Sequence, residues 1–192
     1  MKSAAHGRTA VWALTPNGVQ LARIIADGMP GCTLFLSQKL ETTIPGAVRF
    51  VRLKDEVDRQ FAGFPRHIFI MATGIVVRSI AHGLAHTTMD PPGVVCDETG
   101  QFAISLVSGH IGGANALARE VARTTGGLPV ITTATDINRV PAIDVIAVEN
   151  KLTIENPDAI KSINMALITG NPIFIHDPFG IVTHRLPQDQ VI

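Results

Sequence analysis

His67-Ile68-Phe69-Ile70-Met71-Ala72-Thr73-Gly74-Ile75-Val76-Val77-Arg78-Ser79-Ile80-Ala81 is the stretch whose reading decides the fold. From His67 to Ala72 the residues are apolar on both faces of a strand, as expected where helices cover both sides of a parallel sheet. Thr73-Gly74 ends that strand, and Ile75 to Ala81 reads as a helix beginning beside the glycine. A buried strand running straight into a helix is the unit of an alternating α/β chain, and it recurs on either side. Upstream, the apolar run Thr9 to Leu14 leads into Thr15-Pro16, a helix cap and first-turn pair, with Val19, Ile24 and Ile25 following and Gly28 closing the helix. Cys32 to Leu36 and Val48 to Leu53 read as strands separated by a loop with Pro45-Gly46, and Asp55 to Phe61 as a short helix. Downstream, Val94 to Asp97 and Phe102 to Val107 flank the turn Glu98-Thr99-Gly100-Gln101, so one hairpin interrupts the alternation. A helix opening at Ser108 carries Ala114, Leu117, Ala118, Val121 and Ala122 on one face and ends at Gly126-Gly127. Val130 to Ala134 reads as a strand, and Pro141 to Val148 and Asp158 to Ile168 as helices.

The pattern predicts an α/β fold: a mostly parallel, doubly wound sheet flanked by helices, with a small α/β C-terminal appendage. The main domain is placed at 1–137 and the small region at 138–192. Ligands of such sheets gather beyond the carboxyl ends of the strands, where loops enter helices. That rule predicts one site on one edge, built from Ala72-Thr73-Gly74, Leu106 to Asn115, and Thr132-Thr133-Ala134-Thr135-Asp136.

Composition narrows the function classes. The 192 residues are 46% hydrophobic, enough for one sizeable core. Sixteen basic and sixteen acidic residues cancel, with no run of like charge, so nothing points to nucleic acid or a membrane surface as partner. Cys32 and Cys96 stand far apart in apolar stretches and suit reduced core thiols. The start, Met1-Lys2-Ser3-Ala4-Ala5-His6-Gly7-Arg8, lacks the apolar centre of an export signal, and no run is long enough to span a bilayer; a cytoplasmic location is expected.

Five groups of residues are weighed for candidate chemistry. Ser108-Gly109-His110-Ile111-Gly112-Gly113-Ala114-Asn115 sets glycines, a hydroxyl, an imidazole and an amide around a helix start, where unpaired N–H groups and the dipole favour an anion. The structural alternative, Ser108 as N-cap with glycines for close packing, carries equal weight. Its spacing matches neither a Walker loop nor a dinucleotide fingerprint, so no nucleotide is indicated. Thr132, Thr133, Thr135 and Asp136 put three hydroxyls and a carboxylate at a strand end; the alternative is a cap by Thr135 or Asp136. Arg78, one turn beyond Thr73-Gly74, either grips a carboxylate in bidentate fashion or snorkels. The turn acids Asp97 and Glu98 are read as solvated. His82 and His86 have helical spacing, but Gly83 lies between them and no third ligand is near, so no metal site is expected.

Taken together, Gly74-Ile75-Val76-Val77-Arg78 with Ile80-Ala81, Asp90-Pro91 leading to Val94-Val95-Cys96-Asp97-Glu98-Thr99-Gly100, Ile104 to Asn115, and Val130 to Asp136 resemble the cobalt-precorrin-5A hydrolases of anaerobic cobalamin biosynthesis. The likeness extends more loosely through Pro141 to Val145 and Ile160 to Asn164, and so covers most of the chain. It implies hydrolysis of the ring-A acetate lactone of cobalt-precorrin-5A, a corrinoid, with loss of acetaldehyde to give cobalt-precorrin-5B. No cofactor is then expected, because the cobalt arrives in the substrate. Members of that family commonly carry a further C-terminal domain, whereas this sequence stops at Ile192; a separate C-terminal domain or a neighbouring pathway enzyme is the partner the resemblance implies, and a homo-oligomer is compatible with it. His82 and His86 depart from the Pro and Lys expected there.

Opening a lactone requires a base for water and donors for the oxyanion. An imidazole has an intrinsic pKa near neutrality, so His110 is the first candidate base, with Asp136 as its rival. The N–H groups of Gly112 and Gly113 are candidate oxyanion donors, and Thr132, Thr133 and Ser108 would orient water. Ser108 as nucleophile lacks the elbow motif of serine hydrolases. Thr73, Gly74, Arg78, Gly109, Asn115 and Thr135 complete the expected substrate contacts. Two readings compete: a noncatalytic corrinoid- or anion-binding module, and a sugar-phosphate isomerase or binding domain.

Overall fold

A computed structural model describes residues 8–86 and 89–192. The opening residues 1–7, read above for an export signal, lie outside them. The described chain divides into two compact units after Val130, earlier than the break after 137 suggested by the sequence. The reason is local: the last strand of the sheet ends at Val130, and the next helix packs on a helix of the second unit.

The first unit is built on β1 (Thr9–Ala13), β2 (Cys32–Ser37), β3 (Val48–Phe50), β4 (Arg66–Ile70), β5 (Gly93–Cys96), β6 (Phe102–Val107) and β7 (Leu128–Val130), in the spatial order β3-β2-β1-β4-β5-β6-β7. Neighbours pair in parallel except β5 with β6, which form the expected antiparallel hairpin. Helices α1 (Pro16–Gly28), α2 (Leu53–Gln60), α3 (Thr73–Ile80) and α4 (Ala114–Thr125) cover the sheet. The alternation of strand side chains sorts the core into two layers. Val11, Ala13, Leu36, Ile68 and Ile70 meet Val19, Ala22 and Ile25 of α1 and Leu117, Ala118 and Val121 of α4. On the other face Trp12, Phe35, Phe69 and Val95 meet Val57 of α2 and Val76 and Ile80 of α3. The Trp12 ring stacks on Phe35 at 4.1 Å and on Phe69 at 5.9 Å. This is the doubly wound α/β sheet that the two-faced burial of β4 implied.

Three boundaries differ from the sequence reading by three residues or more. The strand expected over Val48 to Leu53 stops at Phe50, because α2 already begins at Leu53. Helix α4 starts at Ala114 instead of Ser108, with Gly113 as N-cap at φ 92°. The strand expected at Val130 to Ala134 is β7 ending at Val130, followed by helix α5 (Ala134–Asn138).

The second unit comprises α5, α6 (Ile143–Glu149) and α7 (Ala159–Thr169), packed around Ile146, Leu167 and Leu186, with a parallel bridge pairing Ile173 and Val191. Asp177 fixes its closing loop by accepting from the N–H groups of Thr183, Val182 and Ile181 and the Thr183 hydroxyl, which hold its carboxyl well below the usual range. No helix of the described residues is long and apolar enough to cross a membrane.

Candidate functional site

The strand order reverses between β1 and β4: from β1 the sheet grows through β2 to β3 on one side, and from β4 through β5 on the other. A crevice opens at such a switch point, beyond the strands' carboxyl ends. Here it is a cavity of about 420 Å³ between the ends of β1, β4 and β5, lined by Leu14, Thr15, Met71, Thr73, Ile75, Asp97, Glu98, Phe102 and Ile104 among others. Thr73 and Gly74 open α3 at its rim, and the Arg78 guanidinium folds back over Gly74, 3.6 Å from where a Cβ would stand. The structure thus brings Thr73, Gly74 and Arg78 together.

The turn acids line this cavity and, contrary to the sequence reading, neither is simply solvated. Asp97 accepts from the backbone N–H groups of Thr99 (2.8 Å), Phe102 (2.7 Å) and Gln101 (3.4 Å), and from the Thr99 hydroxyl. Partial burial pushes its pKa up, but those donors outweigh it and hold the carboxyl below its ordinary value. Glu98 is exposed, and it accepts from Thr15 Oγ1 at 2.6 Å and Asn17 Nδ2 at 3.3 Å, tying the hairpin turn to the start of α1. Thr15 is also the α1 N-cap, accepting from the Gly18 N–H. The sequence reading gave Thr15 a cap, took Glu98 as a solvated turn acid and did not name Asn17, because only the strand order puts them together at the switch point.

Ser108 to Asn115 lies on the opposite edge. The hairpin turns β6 round, pairing Val107 with Gly93 at the start of β5, so the loop after β6 emerges at the amino ends of β1, β4 and β5. The expected convergence of Gly74 with His110 is therefore corrected: a whole strand length separates them. Strand β7, parallel to β6, also ends on the Ser108 edge, and beyond Val130 the chain enters the second unit.

In this loop Ser108 is the unusual residue. It has φ 59°, which a side chain rarely adopts, and its buried Oγ has no hydrogen-bond partner among the described residues. Gly112 makes that possible: a Cβ there would stand 2.3 Å from Ser108 Cβ. The helix start is largely closed by its own loop, because Ala114 N–H donates to Ser108 O (3.0 Å), Asn115 N–H to Gly109 O (3.0 Å) and Gly113 N–H to His110 O (2.9 Å). The Gly113 N–H is thus committed and not an open oxyanion donor, a correction to the sequence reading. Asn115 is buried, and its Oδ1 accepts from Ser105 Oγ at 2.7 Å, so it anchors the loop to β6. His110 is half-buried in the same loop. A shallow cavity of about 380 Å³, lined by Phe61, Phe64, Pro92 and Gly112 among others, borders it.

In the second unit Thr133 is the N-cap residue of α5, and its hydroxyl donates to Asp136 Oδ2 at 2.6 Å, while Thr135 is buried and Thr132 exposed. Helix α3 ends at Ile80, so His82 and His86 do not share a helix face, and no group of three or more potential metal ligands forms among the described residues. Cys32 and Cys96 are free thiols; burial, aided by nearby Asp97, pushes the Cys96 pKa up to about 12, which excludes it as a thiolate nucleophile.

A family model described as "Cobalamin synthesis G N-terminal" matches residues 55–136. The chain is 43% identical over 163 residues, 83% of its length, to the cobalt-precorrin-5A hydrolase of Salmonella typhimurium. It is 31% identical over 184 residues, 91% of its length, to that of Priestia megaterium. The chain belongs to the cobalt-precorrin-5A hydrolase family. It spans about half the length of these relatives, 45% and 48% respectively. A crystal structure of a cobalamin biosynthesis protein G homolog from Sulfolobus solfataricus aligns with TM-score 0.52 and 21% identity, covering 96% of this chain and 52% of that one, and supports the fold.

Proposed function

We propose that this chain carries the lactone-opening chemistry named for its family: hydrolysis of the ring-A lactone of cobalt-precorrin-5A, with acetaldehyde released and cobalt-precorrin-5B formed, in cobalamin biosynthesis. The observation that carries the reading is that the family match, residues 55–136, takes in the Ser108 to Asn115 loop and the rival base Asp136. Water adds to the lactone carbonyl and the ester C–O bond breaks, leaving a carboxylate and a free hydroxyl. A base then takes the hydroxyl proton, the adjacent C–C bond breaks as acetaldehyde departs, and the electron pair left on the macrocycle is protonated. No electrons are gained or lost overall, and the cobalt is cargo.

His110 is assigned the proton transfers, with Asp136 as the competing base. Ser108, strained and with an unsatisfied hydroxyl, supports placing the reacting groups on this edge. Gly109 and Gly112 would let the flat macrocycle approach the loop backbone. Thr73, Gly74 and Arg78, on the other edge of the sheet, fall outside this set.

Incubating the purified chain with cobalt-precorrin-5A and following acetaldehyde through an NADH-coupled reduction tests the reading. Release at a catalytic rate is expected, and substrate binding without release would overturn it. His110→Ala should lower kcat roughly a hundredfold or more, the usual worth of a positioned base. If Asp136→Asn has that effect instead and His110→Ala only raises KM, the base is Asp136.

A further inference from the structure

We propose that the switch-point cavity is a second ligand site, which takes a small apolar monocarboxylate: the carboxylate on Arg78, the hydrocarbon in the cavity behind it. The cavity, about 420 Å³, falls within the size range of small-molecule pockets, and its inner wall is apolar, with Met71, Ile75, Phe102 and Ile104 contributing. The exposed Arg78 guanidinium lies over Gly74, between the cavity-lining Thr73 and Ile75, and has no hydrogen bond or ion pair among the described residues. Arg49, by contrast, is held by the carbonyls of Thr42 and Gln38, and Arg66 by Glu120 at 3.0 Å. Thr73, in the cavity wall one residue before Gly74, likewise leaves its hydroxyl without a partner among the described residues. An unpaired guanidinium beside an apolar cavity is suited to a planar carboxylate, which it binds in bidentate fashion.

The opposite wall limits the ligand to one such group. Asp97 and Glu98 already accept hydrogen bonds from the protein, so they offer a further anionic arm only repulsion. A macrocycle bearing many carboxylates is therefore a poor fit, whereas an alkyl or aryl monocarboxylate meets apolar wall and cation together. The site is independent of the lactone reading, because Ser108 and His110 lie on the far edge of the sheet.

Octanoate, octanol and octanedioate serve as probes, titrated into the full chain while the methyl resonances of Met71, Ile75 and Ile104 are followed. Octanoate should shift those resonances saturably and bind roughly tenfold or more tightly than either of the others, the usual worth of one charged hydrogen-bonded contact. Arg78→Gln should lose about the same factor with an unchanged melting temperature, since its side chain is exposed and unpaired. Ile75→Trp, which fills the cavity, should abolish octanoate binding while Arg78 stays in place. The proposal is overturned if octanoate shows no saturable shift up to about 10 mM, if octanedioate binds as well, or if either variant binds like the wild type. Acetaldehyde release by the same preparations reports separately on the catalytic reading.

Discussion

At the scale of single residues, His67 shows what burial does to a titratable group. It sits inside β4 without solvent contact, receives the Trp12 indole N–H on Nδ1 at 3.2 Å, and places Nε2 2.9 Å from the Phe61 carbonyl. Those partners require the neutral ring with its proton on Nε2. Burial lowers its pKa from 6.5 to about 4, against the raising effect of the Phe61 and Phe64 carbonyls. Below 6.5 the unfolded chain takes up a proton that the folded chain resists, so stability present at neutral pH is lost as pH falls from 6.5 towards 4, by on the order of 3 kcal/mol. Urea unfolding at stepped pH should show this slope, and His67→Phe should flatten it while destabilising at pH 7 through two orphaned polar groups. An equal slope in the variant would assign the acid sensitivity to the carboxylates. Ser108 calls for the opposite experiment. Ser108→Gly relieves the left-handed strain and should leave stability equal or higher by up to about 1 kcal/mol, yet lower turnover if the hydroxyl serves the reaction. A variant both less stable and fully active would make the hydroxyl structural. Neither the strain nor the orphaned hydroxyl is visible in the sequence, because both arise from Gly112 packing against Ser108.

At the scale of elements, strands and helices were legible where the signal is local: the Thr15-Pro16 cap, the apolar face of α4, and the glycines at its end. The start of α4 was not, because Ser108-Gly109 looks like a cap, while the loop instead folds back so that Ala114 and Asn115 donate to it. Gly112→Ala should break that loop, costing about 2 kcal/mol or more through a clash no rotamer relieves. Thermal unfolding would measure the loss, and a variant as stable as wild type would show that the loop relaxes easily. The β5–β6 turn depends on Asp97 in a comparable way. Asp97→Ala removes the acceptor for three backbone N–H groups and should cost about 1–3 kcal/mol, with hydrogen exchange faster at Thr99 and Phe102. Unchanged exchange there would show the turn to be held by strand pairing alone.

At the scale of the whole molecule, the reversal of β6 matters most for function. It sends Thr73, Gly74 and Arg78 to one edge and Ser108 to Asn115 to the other, so the two groups should behave independently. The double variant Arg78→Ala, His110→Ala should lose activity as the sum of the single effects, within about 0.5 kcal/mol, as distant sites do. Strong coupling in that cycle would mean one ligand engages both sets.

From local information alone the sequence determined the α/β class, the hairpin, most elements to within a few residues, and the ordered motifs that mark the family, because periodicity, caps and turn chemistry act between near neighbours. The strand order was decided only by the tertiary structure: Trp12 stacks between Phe35 and Phe69, which inserts β1 between β2 and β4 and so creates the switch-point cavity. The tertiary structure also paired β7 with β6 in parallel, extending the reversed half of the sheet that the hairpin begins. Both decisions rest on contacts between residues far apart in the chain, formed by layer packing and hydrogen bonding across the sheet, and no single segment carries them.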